Sequence, residues 1–314
     1  MFLVGDIGGT HTRLAFVKEE TLEVVEVADF YNEEENVFLD ILKKFCQKRK
    51  FRAACFGVAG VVENQICHMT NIPWTIDAKE LSAEMQTSVF LVNDMEAFAN
   101  GIQTLSPNDI LNIQEGEKKK GNVVILSPGT GLGIGSLVYD GHKWIPFASE
   151  GGHADAATQT EEEKEVFSFF QRKYGHVSYE RILSGKGLLD LCTFFGEKRN
   201  NPILINPRKI VENPNAKEAV ETFLALYGAK AGNAALDFLS ISGVYLGGLL
   251  TRNLFEKGKN DKNWKEIFLR SFWNKGRFSS FMKTIPIRVV LSEHVILLGA
   301  ALYIQGKKKE FSFP

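Results

Sequence analysis

Asp94 closes an apolar run, Val89-Phe90-Leu91-Val92, and opens a helical stretch over 95–102. A carboxylate delivered at the carboxyl end of a strand stands at the mouth of an α/β crevice, where ligands bind in open, mostly parallel sheets. There it can orient and deprotonate a hydroxyl. Asn93-Asp94 ahead of a helix is also a good N-cap pair, so the other motifs must decide between the two readings. In Asp6-Ile7-Gly8-Gly9-Thr10 the two glycines, with Thr10 and Thr12, make a tight turn. Its backbone N–H groups can face outward with no Cβ to obstruct a phosphate. Asp6 at the strand end is placed to hold a magnesium ion through water. An ordinary hairpin with an exposed acid is the alternative for this motif taken alone.

A second glycine turn, Gly129-Thr130-Gly131-Leu132-Gly133, follows the apolar run 123–126. Neither turn has the G-x-G-x-x-G spacing of a dinucleotide site, and no Walker-A motif occurs, so both of those sites are disfavoured. Two such turns in one chain suit the grip of two domains on one polyphosphate. Glu150 and His153 flank Gly151-Gly152, so both side chains can converge from one loop. With Asp155 nearby a metal is conceivable, but the spacing matches no common zinc site. Adjacent hydroxyls of a polyol suit a carboxylate acceptor and an imidazole better. Asn71, in a loop with Trp74, can hydrogen-bond a sugar hydroxyl, while Trp74 itself reads as packing. Glu180 falls in the first turn of a helix capped by Ser178, a position that stabilises a carboxylate without any further role. Gly247-Gly248 ends a late strand and lets a flat base approach the backbone.

The elements that must position these groups follow from periodicity. Strands are predicted over 2–7, 12–18, 22–30, 53–58, 66–69, 89–92, 123–126, 134–139, 142–146, 244–248 and 285–291. Helices are predicted over 33–50, 78–85, 95–102, 161–174, 188–195, 216–238 and 295–304. Residues 106–121 read as a linker or crossing loop. The strand, glycine turn, strand, strand layout of 2–30 recurs at 123–146, which implies two similar domains facing each other across a cleft. The predicted boundaries are 1–104 plus 298–314 for the smaller domain and 105–297 for the larger.

At 314 residues there is material for two domains, and a formal net charge of −1 gives no basic excess for nucleic acid or an anionic membrane. No apolar stretch reaches the length of a membrane span. The amino terminus reads as a core strand rather than a signal peptide. Cys46, Cys55, Cys67 and Cys192 lack zinc or disulfide-framework spacing, which points to buried reduced thiols and a cytoplasmic location.

Taken together, Asp6-Ile7-Gly8-Gly9-Thr10, Asn93-Asp94, the 129–133 turn, Glu150-Gly151-Gly152-His153, the 178–185 segment and Gly247-Gly248 resemble the bacterial glucokinase family, in the family's order and over nearly the whole chain. The resemblance implies the actin-like ATPase (ribonuclease H-like) fold, an α/β architecture of duplicated βββαβαβα units closing on ATP and sugar and excluding water. It implies that Asp94 is the base on the glucose 6-hydroxyl, with Asn93, Glu150, His153, Glu180 and Asn71 on the other hydroxyls. Asp6, Gly8, Gly9 and Thr10 would form the first phosphate motif, with Mg2+ on Asp6. Gly129, Thr130, Gly131 and Gly133 would form the second, and Gly247 with Gly248 the adenosine motif. A homodimer is the family expectation. Ser127, where a smaller residue is usual, and Met95, where an aromatic is expected, depart from the pattern. The cysteine-rich zinc motif of the related ROK family is absent. Other hexoses (mannose, glucosamine, an N-acetylhexosamine) fit the same polar groups, and a non-catalytic sugar sensor is the alternative from a different class. An actin-like filament or chaperone ATPase would leave the Glu150–His153 cluster unexplained.

Overall fold

Alternation of apolar residues along the first strands sends them to two opposite faces of one sheet. In a computed structural model, which describes residues 1–35, 37–47, 49–69, 72–201, 207–257 and 262–307, β1 (Phe2–Ile7), β2 (His11–Val17), β3 (Val24–Tyr31), β4 (Ala53–Val58) and β8 (Ser88–Asn93) form that sheet in the order β3-β2-β1-β4-β8. β1, β4 and β8 run parallel, and β2 and β3 are antiparallel additions at one edge. Leu3, Ile7, Leu14, Phe16, Ala54, Phe56, Val89 and Leu91 face α1 (Phe38–Cys46) and α2 (Ala78–Met85). Phe2, Val4, Ala15, Val17, Ala53, Cys55 and Val92 face the other way, toward α3 (Asp94–Ile102). β4 is buried throughout, as a strand covered on both faces must be. A small sheet of β5 (Val62–Glu63), β6 (Ile66–His68) and β7 (Thr75–Asp77) packs its Cys67 and Ile76 into the first of these layers.

The chain divides into two compact units: the described residues of Met1–Pro107, Ile145–Ala148 and Ser292–Pro314, and those of Asn108–Trp144 and Ser149–Leu291. The second sheet contains β9 (Ile110–Gln114), β10 (Val123–Pro128), β11 (Leu132–Tyr139), β12 (Trp144–Ser149), β13 (Gly243–Leu246) and β14 (Ile287–Val290), in the order β12-β11-β10-β13-β14-β9. β10, β13 and β14 are parallel, with β11 antiparallel to β10. The helices that follow in the chain are α4 (Glu161–Tyr174), α5 (Tyr179–Ile182), α6 (Gly185–Lys198), α7 (Lys217–Asp237), α8 (Leu249–Lys257), α9 (Lys262–Trp273) and α10 (Ser279–Met282). α7 lies at the centre of this unit's core, burying Phe223 and Tyr227 against Phe268 of α9. The chain ends in α11 (Val295–Gly306), whose Leu297, Ala300, Ala301 and Ile304 join the first unit's core. The whole is a mixed α/β fold with several sheets.

Most predicted elements are present within one or two residues, and the exceptions have local causes. The helix predicted over 33–50 is only α1, because Glu35 is extended and Gln47 ends the helix at φ 49°. The supposed linker 106–121 contains β9, an edge strand in which only Ile113 is fully buried, too little to stand out among polar neighbours. The helices between Gly248 and β14, namely α8, α9 and α10, were not foreseen. A boundary at 298 would cut α11 in two; it falls before the helix, at Ser292, because α11 packs along α3 from its first residue. Among the described residues no helix is long and apolar enough to cross a membrane. All four cysteines are buried free thiols.

Candidate active site

Sheet register gathers the motifs of the first unit at one edge. Ile7, Val58 and Asn93 are aligned across β1, β4 and β8, so Gly8 and Asp94 each stand one residue beyond the same row. In the turn, the Gly8 N–H donates to the His11 carbonyl (2.9 Å). The turn's framework comes from a residue that the motif analysis missed. Asn32, buried, donates through Nδ2 to the Gly8 carbonyl (2.8 Å) and through its backbone to the Thr10 carbonyl (3.0 Å). Its Oδ1 accepts from the buried Thr12 hydroxyl at 2.8 Å. Nothing in the local sequence marks Asn32, since two of its three partners are main-chain oxygens.

Asp6 is half-buried at the end of β1, and desolvation pushes its carboxyl up to about 6, an effect that the facing Arg13 opposes. Arg13 is its cross-strand neighbour. The guanidinium itself is forked onto Asp29 (2.6 and 3.2 Å) and donates to the Glu293 carbonyl (3.1 Å).

Asp94 begins α3, and Asn93 is its N-cap: Asn93 Oδ1 accepts from the Met95 N–H (2.9 Å) while Nδ2 donates to the Gly60 carbonyl (3.0 Å). The Asn93 amide is thus largely engaged in holding the loop. Asp94 Oδ1 also accepts from the Met95 N–H at 2.9 Å. Met95 is buried in the position where an aromatic was expected. Asn71 lies outside the described residues.

The second unit repeats the logic of register. Leu126 and Leu246 are paired across β10 and β13, so the glycine turn of β10 and Gly247-Gly248 leave the sheet side by side. The Gly247 N–H donates to the Leu126 carbonyl (2.8 Å). Gly248 has φ +86°, and a Cβ there would approach the Pro128 carbonyl oxygen to 2.7 Å, so only glycine serves on both counts. Ser127 also borders it, its Oγ 3.1 Å from that Cβ position. Within the turn, the Gly129 N–H donates to the Gly131 carbonyl (2.8 Å) and the Gly129 carbonyl accepts from the Gly185 N–H (2.8 Å).

Glu150, His153 and Glu180 come together in this unit. His153 stands between the two carboxylates, Nε2 3.7 Å from Glu150 and Nδ1 3.7 Å from Glu180. His153 and Glu150 are about 60% exposed and Glu180 28%, an open row of alternating acceptor and donor. The loop can sit this close to β11 because Gly152 has no Cβ to strike the Leu132 carbonyl. Ser178 caps α5 as expected, its hydroxyl accepting from the Arg181 N–H. Asp155 pairs instead with His176 at 2.7 Å, and among the described residues no group of three or more His, Cys, Asp or Glu could hold a metal.

A family profile described as Glucokinase matches residues 3–307 of the chain. The chain is 33% identical to a glucokinase of Mesorhizobium japonicum, covering 97% of this sequence and 91% of that one. Among solved structures it is similar to the glucokinase of Balamuthia mandrillaris in complex with glucose, with a TM-score of 0.83 at 19% identity over 97% and 93% of the two chains. It is also similar to a ROK family glucokinase from Streptomyces griseus in complex with glucose and AMPPNP, with a TM-score of 0.65 at 18% identity over 95% and 98%.

Proposed function

The chain belongs to the glucokinase family and is an enzyme that phosphorylates glucose, and from that premise we propose how its residues divide the work, with ATP as donor and the sugar 6-hydroxyl as acceptor. The observation that carries the reading is the row Glu150–His153–Glu180 set directly against the second glycine turn. It supplies hydroxyl-binding groups beside a phosphate cradle in one unit.

Phosphoryl transfer leaves the protein little covalent work; positioning and charge stabilisation dominate. In our reading Glu150 and Glu180 accept hydrogen bonds from sugar hydroxyls, and His153 donates or accepts between them. Asp94 receives the proton of the attacking hydroxyl. Asp94 stands in the first turn of α3, directly after the last residue of β8. Asn93, already the cap of α3, has one amide hydrogen and one lone pair left for a hydroxyl. The turns at Gly8-Gly9-Thr10 and at Gly129-Thr130-Gly131 with Gly133 cradle the phosphates, and Gly247-Gly248 receives the adenosine.

The Asp6 carboxylate accepts no hydrogen bond among the described residues and is desolvated at the mouth of the first turn. Such a hard, poorly satisfied oxygen donor fits a hydrated Mg2+. When bound, the ion would neutralise phosphate charge there. The strand orders of the two sheets, β3-β2-β1-β4-β8 and β12-β11-β10-β13-β14 with β9 added at the edge, support the duplicated actin-like architecture as part of the proposal.

The test is ADP release with MgATP over glucose, mannose, fructose, glucosamine and N-acetylglucosamine. Turnover largely confined to glucose is expected. Preference for another sugar would move the substrate assignment, and ATP binding with silence across the panel would favour a sensor.

A further inference from the structure

Glu180 is tied to the second glycine turn as well as to the sugar row. Its Oε2 accepts from the Leu132 N–H at 3.0 Å, while Oε1 faces His153. Leu132 is the residue at which the turn becomes β11 and pairs with Pro128, so this bond fixes one shoulder of the turn. The other shoulder is held by the segment just beyond α5, through the Gly185 N–H on the Gly129 carbonyl. The seven residues 179–185 therefore strap the turn at both ends. One of the two straps is a side chain in the sugar row. Gly131 completes the arrangement: a Cβ built on it would fall inside the Glu180 carboxylate, so glycine here makes room for Glu180. Gly131 does not have a positive φ, so its lack of a side chain serves that space and not a left-handed turn. At Gly129, two residues earlier in the same turn, a Cβ would meet nothing within 4 Å.

We propose that Glu180 couples the sugar site to the phosphate turn: it is a positioning residue for the 129–133 turn, and the sugar that orders its carboxylate thereby pre-orders the turn for nucleotide. One carboxylate serves both sites, with one oxygen on the turn and the other toward the sugar. A hydroxyl bound to Glu180 removes side-chain freedom that the nucleotide would otherwise have to remove, and each ligand strengthens the other by the same factor. The proposal rests on the assignment of Glu180 to the sugar row, and its test separates the two.

Calorimetry on the full chain measures glucose affinity without nucleotide, AMPPNP affinity without sugar, and each in the presence of the other. In the wild type, glucose should tighten AMPPNP by about fivefold or more, the lower range of measured allosteric couplings. Gly131→Ala places a methyl against the Glu180 carboxylate, the mobile end of a long side chain, and displaces it from Leu132. Glucose affinity in the absence of any nucleotide should then fall by about fivefold or more, and the mutual tightening should vanish. Gly306→Ala, at the exposed end of α11 where a Cβ would meet nothing within 4 Å, adds the same methyl away from both sites; its glucose affinity should stay within about twofold of wild type. Glu180→Ala reads the coupling from the other end, weakening AMPPNP about threefold or more with no sugar present. Thermal melts confirm that each variant is folded before its affinities are compared. Glucose bound by Gly131→Ala as tightly as by the wild type would overturn the coupling. Unchanged glucose affinity in Glu180→Ala would overturn the sugar assignment itself and the proposal with it.

Discussion

Gly299 of α11 and Ala97 of α3 meet backbone to backbone: a Cβ on Gly299 would fall well inside the Ala97 carbonyl oxygen. One turn further along α3, Gly101 is pressed in the same way against the Val295 carbonyl. Glycines on both helices thus let them cross in near contact, and α3 begins with the two residues Asp94 and Met95 that follow the strand carrying Asn93.

Gly299→Ala should therefore destabilise the fold despite the better helix propensity of alanine. Propensity favours alanine by about 1 kcal/mol. Backbone atoms cannot rotate out of the way, and overpacking typically costs about 1–3 kcal/mol or more, so the clash wins. Gly306→Ala, at the exposed end of the same helix with nothing within 4 Å, should leave stability equal or raise it by up to about 1 kcal/mol. Urea titrations of both variants check the contrast.

The acid at the first turn predicts a pH dependence of stability. Asp6 has an ordinary value of 3.8 and is raised to about 6 in the fold, mainly by desolvation. The folded state therefore favours the protonated acid. Stability from this group is present below about pH 4 and is lost as pH rises through about 6. The full difference corresponds to at most about 3 kcal/mol, and less for a side chain that retains some water. In magnesium-free buffer Asp6→Asn should melt above the wild type at pH 7.5 and together with it near pH 4. An advantage that persisted at low pH would point to some cause other than ionisation.

Asn32→Ala should damage the first turn without touching a phosphate-binding residue. The substitution strands the Gly8 carbonyl and the buried Thr12 hydroxyl, and buried unsatisfied groups cost about 1–3 kcal/mol. Loss of stability in that range should accompany a rise in KM for ATP larger than any fall in kcat. Steady-state kinetics against ATP at saturating glucose, with a parallel denaturant titration, measures both.

Asp94→Asn separates capping from catalysis. The amide keeps an oxygen that can accept from the Met95 N–H, and Asn93 caps the helix in any case, so the variant should fold with little change in melting temperature. A general base is worth about 10²–10⁴-fold; kcat should fall by at least about 100-fold while glucose binding is partly retained. Near-wild-type turnover would remove Asp94 from the role of base.

Much of this protein could be read from residue pattern, because burial imposes a period. β1, β2 and β4 alternate between two cores, and α2, α3, α4 and α11 lie within about two residues of their predicted spans. The glycine turns were legible because close approach to a ligand or to main chain demands the absence of a Cβ, a demand written at the residue itself. The order of the motifs carried the family resemblance.

What the pattern could not contain are contacts in which a side chain meets main chain far along the sequence. Glu180 bonds the N–H of Leu132, 48 residues away, and Asn32 bonds the carbonyl of Gly8, 24 residues away. Every residue carries the same C=O and every residue but proline the same N–H, so neither partner leaves a mark in the sequence. The same holds for Asn93, whose amide is committed to Met95 and Gly60, and for α11, whose attachment to the first unit depends on two glycines meeting carbonyls on a distant helix. Local pattern determined which strands, helices and turns form. Only the tertiary structure decided which polar groups remain open to a substrate and which already hold the chain.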